Sequence, residues 1–462
     1  MMKGRTYVRP FLLCSDKLAL GIAHHLSSMD LYQHFASVIQ AHLNPHSRLV
    51  IGFSGGVDSQ VLLTLAARFG QQYQCECLAV HVHHGLSGNA DRWAEQCAQW
   101  AHERGVPFVV EKVILQPQGK SIEACAREAR YQALAQHLEH GDVLLTGQHA
   151  DDQLETFLLA VKRGSGPKGL SAMAQCRSFA NGYMLRPLLE VNRSTIEAFA
   201  VEHQLQWAED ESNQDTRFDR NYIRHQVAPA LNQRWPHFKA AVQRSAQLCF
   251  EQEALLDELL SEKLSELTAA DDGLSIAGLT SLSELMRGRL IRMWLSQHRV
   301  LMPSRDHLDK IWSQVAMAQQ DANPILNLAQ GQVRRFNHRL YLVESLADVS
   351  AWSHQAALES SMILPDNLGT LLLRKSTQGH LSYQALQTAP LSVIFEPQGL
   401  SARPAERGHS RKLKKLFQEY QVPSWQRRRM PILMCGDKVA AIANLFIDHD
   451  FIGQDCELVW DK

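Results

Sequence analysis

The sequence predicts an α/β fold: a doubly wound parallel sheet in an N-terminal domain, then a mainly helical middle domain and a small α+β C-terminal domain. Two observations predict it. Between about residues 30 and 190, apolar runs at Leu49 to Phe53, Leu78 to Val82, Phe108 to Val113 and Val143 to Thr146 alternate with segments of helical spacing, such as Val61-Leu62-Leu65 and Trp93-Cys97-Trp100. Strands that alternate with helices build a parallel sheet covered on both faces, and ligands bind at the carboxyl ends of its strands. Beyond this region the pattern changes. Apolar residues recur at helical spacing over Phe238 to about Leu267, Leu282 to Leu295 and His307 to Val315, whereas short strand-like runs (Leu371-Leu372-Leu373, Leu391-Val393-Phe395, Val439-Ala441-Ile442) dominate after residue 366.

The element boundaries follow from local chemistry. Ser194 with Glu197 reads as a capping box, and the polar, turn-rich stretch from Glu209 to Arg220 closes the first domain. Ser304 after Pro303 reads as another N-cap, and Ile325-Leu326 with Leu340-Tyr341-Leu342-Val343 suggests a small sheet. Asp348 to about Pro365 is polar enough for a linker. The expected domains are therefore 29–235, 236–346 and 366–462. Asp16 and Lys17 interrupt the weak apolar stretch of residues 1–28 before it could act as a signal h-region, and this segment is expected to be an unstructured or misassigned extension with Met29 the natural start.

Composition sets outer limits. A chain of 462 residues exceeds what one core supports, and no apolar run approaches the roughly 18 residues of a membrane helix. Its nine cysteines form no C-x-x-C pair and no zinc-like quartet, which suits a reducing cytoplasm. The net charge of −1 hides an asymmetry. From Arg403 to Arg429 nine basic residues (Arg403, Arg407, Arg411, Lys412, Lys414, Lys415, Arg427, Arg428, Arg429) face two acidic ones, Glu406 and Glu419, which suggests a polyanionic partner. Leu413, Leu416, Phe417 and Tyr420 mark the apolar face of a basic helix there; the bland alternative is a solvated face.

The chemistry concentrates after the first strand. Ser54-Gly55-Gly56-Val57-Asp58-Ser59 leaves that strand through two glycines and enters a helix near Asp58. Glycines allow close backbone approach, and a helix N-terminus adds partial positive charge, so this loop is an anion cradle with Ser54 and Ser59 as hydroxyl donors. No G-x-x-x-x-G-K-[ST] is present. Without the lysine that serves β- and γ-phosphates, the loop favours attack at an α-phosphate with departure of pyrophosphate. A plain strand-to-helix turn explains the glycines but not the flanking Ser, Asp and Ser.

A second group follows the fourth strand in Gly147-Gln148-His149-Ala150-Asp151-Asp152-Gln153-Leu154-Glu155. Asp151 and Glu155 are four apart and Asp152 and Glu155 three apart, so their carboxylates can converge on a helix. With Asp58 they form a candidate magnesium site, since magnesium takes one or two carboxylates plus substrate phosphates; stabilisation of a helix first turn is the alternative. His81, His83, His84 and His149 lack the spacing of a zinc site. Glu123 and Arg127 lie one turn apart, and Arg127 and Arg130 share a helix face.

The Ser54 to Ser59 motif resembles the pyrophosphate loop of the N-type ATP pyrophosphatases, whose fold is that of adenine nucleotide α-hydrolases. His81 to Leu86 with Asp91, Glu123 to Tyr131, Gly147 to Thr156, Arg163-Gly164-Ser165-Gly166, Arg186 to Leu189, Trp207 to Asp215, Arg220-Asn221 with Arg224, and Lys415 to Pro431 together resemble the tRNA(Ile)-lysidine synthetases, from Met29 to the end. The resemblance implies an ATP-dependent ligase that joins L-lysine to the wobble cytidine of a tRNA(Ile) with a CAU anticodon. It implies catalytic roles for Asp58, Arg127, Asp151 and Glu155, and nucleotide contacts from Ser54, Gly55, Gly56, Val57, Asp58, Ser59 and His83. It places Mg2+ on Asp58, Asp151 and Asp152, and RNA on Arg220, Arg224, Arg411, Lys412, Lys414, Lys415, Arg427 and Arg428. A homodimer is also expected, and no membrane partner. Two alternatives stay open: a tRNA thiolase, disfavoured by the missing paired cysteines, and an RNA-binding protein with a relic nucleotide domain.

Overall fold

The computed structural model describes residues 28–462, apart from 45, 86, 116–121, 299, 301 and 320–321 and the side chains of 28, 29 and 123. The expected extension therefore lies outside the described residues but for Ser28, which opens a helix. The chain divides into two compact units, residues 1–256 and 257–462. The division falls inside a 30-residue helix rather than at the expected residue 235.

The first unit runs α1 (Ser28–Gln40), β1 (Leu49–Gly52), α2 (Val57–Tyr73), β2 (Cys77–His83), α3 (Ala90–Glu103), β3 (Phe108–Lys112), α4 (Ile122–Ala135), β4 (Val143–Leu145), α5 (Ala150–Lys162), α6 (Pro167–Leu170), β5 (Cys176–Phe179), β6 (Gly182–Leu185) and α7 (Arg193–Glu202). Short helices α8 (Asp219–Tyr222) and α9 (Ala228–Arg234) flank a π-helical turn, Ile223–Val227, before the long helix α10 (Phe238–Leu267). The strands form one six-stranded sheet in the order β3-β2-β1-β4-β6-β5, parallel except at the β5 edge. The antiparallel hairpin of β5 and β6 has no counterpart in the sequence reading.

Alternation explains how β1 sits at the centre. Leu49, Ile51 and Phe53 point into one apolar layer with α1, α2 and α7, whereas Val50 points into the other with Val80, Leu134, Leu144 and Met184. Each side chain fully buried in this way contributes about 1.5–3 kcal/mol. The chain proceeds outward from β1 through β2 to β3, then returns to place β4 on the other flank of β1. Strand order thus reverses between β1 and β4, and the crevice at their carboxyl ends is where such sheets bind ligands. The cradle loop leaves β1 there, and the acidic segment leaves β4 beside it.

Helix α7 corrects one expectation. It is capped at Asn192 rather than Ser194, without a side-chain bond, and Glu197 pairs with the Arg193 side chain at 2.8 Å.

The second unit starts in α10 and continues with β7 (Leu274–Ser275), α11 (Ile276–Thr280), α12 (Glu284–Gln297), α13 (Arg305–Lys310) and the strands β8 (Ile325–Leu328), β9 (Gly331–Phe336) and β10 (Arg339–Val343). Trp294 centres this core, fully buried, with its indole N–H donated to Asp272 O at 3.0 Å. Ser304 caps α13 as the sequence implies, accepting the His307 N–H.

The C-terminal part is β-rich: β11 (Ser353–Ala356), β12 (Ser360–Ile363), β13 (Thr370–Lys375), α14 (Tyr383–Leu386), β14 (Leu391–Ile394), β15 (Ser401–Ala402), β16 (Arg411–Lys412), α15 (Leu413–Glu419), β17 (Ile432–Cys435), β18 (Lys438–Ile442), β19 (Phe446–Ile447) and β20 (Cys456–Asp461). The stretch expected to be a linker supplies β11 and β12, the edges of a five-stranded and a three-stranded sheet. Edge strands with one solvated face carry few apolar residues, which is why Ser353–Ala356 reads as polar loop.

Candidate active site

The cradle is built by conflict between its backbone and any side chain larger than hydrogen. Gly55 has φ +87°, and a Cβ there meets Cys97 Sγ at 2.7 Å. Gly56 is the N-cap of α2, extended and without a side-chain cap, and a Cβ there finds only Ser54 Oγ at 3.8 Å. The N–H groups of Val57, Asp58 and Ser59 precede the first intrahelical bond, Gln60 N to Gly56 O, so they are left for an anion.

The serines brace this loop instead of reaching out of it. Ser59 Oγ accepts from Gly55 N at 3.0 Å and donates to Gly56 O at 2.9 Å, and Ser54 Oγ donates to Ser59 Oγ at 3.2 Å. The hydroxyl donation expected from Ser59 is therefore used inside the loop. Ser54 is exposed and remains at the mouth.

The segment after β4 packs directly on the cradle. A Cβ at Gly147 would lie 3.2 Å from Asp58 O, so only glycine lets the two loops meet. His149 caps α5: its Nδ1 accepts the Asp151 N–H at 3.2 Å, while Asp152 accepts the His149 N–H at 3.1 Å. With Nδ1 accepting, the ring proton sits on Nε2, which lies 3.6 Å from Asp58 Oδ1 and 3.5 Å from Asp152 Oδ2. Burial opposes charging this ring, but Asp58, Asp152 and Asp151 outweigh it and raise its pKa. Charging would cost the Nδ1 cap.

The three acidic residues on α5 do not converge as expected. Asp151 Oδ1 lies 2.5 Å from Lys239 Nζ, and its Oδ2 accepts the N–H of Arg193, the first residue of α7, at 3.0 Å. Burial pushes the Asp151 carboxyl up, but Lys239 and the Arg193 amide more than offset it and hold it below its ordinary value. Glu155, 1% exposed, is gripped by Arg220 Nε at 2.7 Å and Arg224 Nε at 2.6 Å. Asp152 Oδ1 completes that cluster at 3.0 and 3.2 Å from the same two arginines. Burial raises the Asp152 carboxyl, and His149, Arg220 and Arg224 reverse the sign and lower it.

Two readings of these residues change as a result. Arg220 and Arg224, expected on RNA, have their guanidinium groups committed to Glu155 and Asp152. Glu155, given a catalytic role by the resemblance, has both oxygens held by these two arginines, which tie α5 to α8 and the π-helical turn. Lys239 and Arg193 were missed. Lys239 stands on a helix that the sequence assigns to the next domain, and Arg193 acts through its backbone, so neither had a side-chain signature.

The expected magnesium site is also reshaped. Asp151 and Asp152 have hydrogen bonds or ion pairs on both oxygens, whereas the buried Asp58 Oδ1 has no hydrogen-bond partner among the described residues. No group of three or more His, Cys, Asp or Glu among the described residues is arranged to hold a metal. The residues present still fit magnesium, with Asp58 as the one open carboxylate and the remaining ligands from phosphates and water.

Around the crevice, His81 Nδ1 bonds Phe53 O at 2.9 Å and ties β2 to the exit of β1. His83 Nε2 lies 3.3 Å from the exposed Asp91, which also pairs with Lys112. Burial and the nearby Arg130 charge push His84 down to about 4, so it is neutral. Arg127 is exposed on α4, its guanidinium 5.1 Å from the Tyr131 ring; the Glu123 side chain lies outside the described residues. Arg186, 3% exposed, donates to Gln148 and to Ala174 O and so fixes the loop after β4.

A model of the PP-loop domain matches residues 28–231, one of the TilS substrate binding domain residues 274–341, and one of the TilS substrate C-terminal domain residues 391–461. The chain is 58% identical over 433 residues to the tRNA(Ile)-lysidine synthase of Vibrio vulnificus (strain CMCP6), covering 94% of this chain and 99% of that protein. This chain belongs to the tRNA(Ile)-lysidine synthase family. It is also 55% identical over 435 residues to the enzyme of that name from Vibrio parahaemolyticus, covering 94% of this chain and 99% of that one, and 51% identical over 434 residues to that of Photobacterium profundum, at 93% and 99%.

In this tRNA(Ile)-lysidine synthase family member the basic C-terminal region is less uniformly charged than its sequence suggests. Arg407 and Arg411 both pair with Glu419, Arg403 with Asp450, Arg428 with Glu396 at 3.1 Å and Arg429 with Asp366 at 2.8 Å. Arg427 donates its Nε to Val422 O at 3.0 Å. Arg411, Arg427 and Arg428, expected on RNA, are therefore partly committed within the domain. Lys412, Lys414 and Lys415 are exposed, and among the described residues their side chains have no hydrogen-bond or ion-pair partner. Trp425 packs against Phe336 and Tyr341, with centroids 6.0 and 5.5 Å away, and so serves packing.

Proposed function

We propose that this chain joins L-lysine to C2 of the wobble cytidine in the CAU anticodon of tRNA(Ile), using ATP, and so changes codon reading from AUG to AUA. The observation that carries the reading is the uncapped N-terminus of α2 beside an unpartnered Asp58 oxygen, at the point where strand order reverses. In the first step the cytidine O2 attacks the α-phosphorus of ATP and pyrophosphate leaves. The amide groups of residues 57–59 face the charge that crowds on the phosphates. Magnesium, held by Asp58 and the phosphates, would neutralise part of that charge.

In the second step a lysine amine attacks C2, AMP departs with the original O2, and the amine gives up its proton. An ammonium is the dominant form at neutral pH, so a carboxylate must hold it and share that proton. Asp151 already holds one alkylammonium, Lys239 Nζ at 2.5 Å, so an incoming lysine amine reaches it only by displacing that pair. Arg127, exposed on α4, supplies a cation for phosphate or the adenylated base.

The same reading places the enzyme in the cytoplasm with its tRNA. All eight described cysteines are free, and no described helix is long and apolar enough to cross a membrane. A homodimer belongs to the proposal too, supported by Leu248 and Leu255, two turns apart on α10 and 58% and 56% exposed. Radiolabelled lysine supplied with ATP, magnesium and unmodified CAU-anticodon tRNA(Ile) tests the central claim. Lysine is expected in the tRNA; no incorporation by folded protein refutes it.

A further inference from the structure

The acid pairs on α5 differ in how firmly they are closed. The Glu155 side chain is 2% exposed and held by two guanidinium groups, and Asp152 is 13% exposed beside the same two arginines. Asp151 is 28% exposed and paired with the alkylammonium of Lys239, itself 20% exposed. Its Oδ2 is pinned by the Arg193 N–H at 3.0 Å, which leaves Oδ1 turned to Nζ at 2.5 Å. Asn192, the exposed N-cap of α7, adds a second acceptor, with Oδ1 3.3 Å from the same Nζ.

These two oxygens form a receptor for a primary ammonium. One is anionic and one neutral, and both accept hydrogen bonds, whereas an ammonium only donates. The receptor stands beside the cradle: His149 lies between them, with Nδ1 3.8 Å from Asp151 Oδ2 and Nε2 3.6 Å from Asp58 Oδ1. Lys239 enters it from the first turn of α10, which is set by the Phe238 N–H on Trp235 O at 2.9 Å and by the Trp235 and Phe238 rings, 6.0 Å apart. Its four-carbon stem is flexible, and its charge is compact and readily hydrated. Nζ can therefore swing into solvent with no backbone movement, whereas release of Arg220 or Arg224 would strand the buried Glu155 charge.

We propose that Asp151 Oδ1 and Asn192 Oδ1 form a subsite for a primary alkylammonium, that Lys239 is its resident occupant, and that free lysine enters by displacing it. The inference rests on the reading that the chain uses L-lysine, which supplies the identity of the incoming amine. Lys239 then acts as an internal competitor: lysine binds only the fraction of molecules whose Nζ has left, and its apparent affinity is reduced by that fraction. A partly exposed ion pair at the upper end of the usual strength leaves the subsite open in about one molecule in six.

The experiment uses the full chain with Lys239→Met and Lys239→Gln, and thermal unfolding shows that each variant is folded. Steady-state incorporation of radiolabelled lysine into CAU-anticodon tRNA(Ile) should give Lys239→Met a KM for lysine about sixfold below native. Lys239→Gln should move the same way by less, since its amide still donates to Asp151. A second probe is n-butylamine, which is protonated at neutral pH like a lysine side chain. At millimolar concentration it should raise the Tm of Lys239→Met by refilling the vacated subsite, and shift the native Tm by much less. A KM for lysine that is unchanged or raised in both variants overturns the proposal, because Lys239 would then only orient Asp151. Equal Tm shifts of native and variant chains by n-butylamine, or none in either, overturn it as well. Absence of lysine incorporation by the native chain would refute the ligase reading alone, because the n-butylamine shift reads the subsite without catalysis.

Discussion

Substitution of Glu155 separates an anchoring role from a chemical one. Its side chain is 2% exposed and both oxygens are held by Arg220 and Arg224 at 2.6 to 3.0 Å. Breaking a buried pair by removing one partner costs about 3–5 kcal/mol, because the remaining charge is left uncompensated. Asp152 Oδ1 stays within 3.0 and 3.2 Å of the same guanidinium groups, which places Glu155→Ala at the low end, about 3 kcal/mol. For a unit of this size each kcal/mol lowers Tm by roughly 2–4 °C, so calorimetry should show the N-terminal transition fall by about 6–12 °C. Glu155→Gln keeps the shape and one acceptor and should lose roughly half as much. Activity measured well below the new Tm should recover in parallel with folding. If Glu155→Gln leaves Tm within a degree of native yet abolishes lysine transfer, Glu155 is a proton-handling group and the anchoring argument fails.

Other outcomes follow from the same geometry. Asp58→Ala should abolish ATP-dependent pyrophosphate release while tRNA binding by filter retention persists; unchanged release removes Asp58 from the mechanism. Gly55→Ala, forced to φ +87° against Cys97 Sγ, should cost about 1–2 kcal/mol of stability or more, whereas Gly56→Ala should leave Tm near native and raise KM for ATP. Equal Tm losses would show that Gly56 does not face the ligand. Because Lys239 and the Arg193 amide depress the Asp151 pKa, their contribution is present above the ordinary carboxylate value and is lost as pH falls through the depressed one. Lys239→Met should therefore lower Tm at pH 7 and flatten its decline between pH 5 and 3; a native slope would disprove the coupling. Neutralising Lys412, Lys414 and Lys415 should reduce the slope of log affinity for tRNA against log salt by up to about 3, and an unaltered slope makes them a merely solvated face.

β1, β2 and β4 were legible because they are largely buried on both faces and read as continuous apolar runs between amphipathic helices. The β5 and β6 hairpin was not, since Cys176–Phe179 is short and half-exposed, and β11 was not, since all but Ala356 of its residues are exposed and its pairing with β14 lies entirely in the backbone. The same contrast holds within the site. Gly55, Gly56 and Asp58 are legible because the backbone conformation and an unpaired carboxylate leave a local signature. The partners of Asp151, Asp152 and Glu155 are set by helices 40 to 90 positions further along the chain, and helical spacing alone brings Asp151 and Glu155 to one face where the fold sends them to different cations.

That division of labour clarifies why so acidic a segment follows β4. Four carboxylates within reach of His149 and two arginines would repel one another and the triphosphate if all were open. Lys239, Arg220 and Arg224 neutralise three of them without blocking the crevice, and the N-termini of α2 and α7 supply backbone donors in addition. Asp58 alone keeps an oxygen unbonded beside the cradle. His149 Nε2 lies 3.6 Å away, beyond hydrogen-bond distance, and so leaves that oxygen unconsumed. The cradle and the acidic segment thus act as one unit because Gly147 lets them touch and His149 joins the cap of α5 to Asp58.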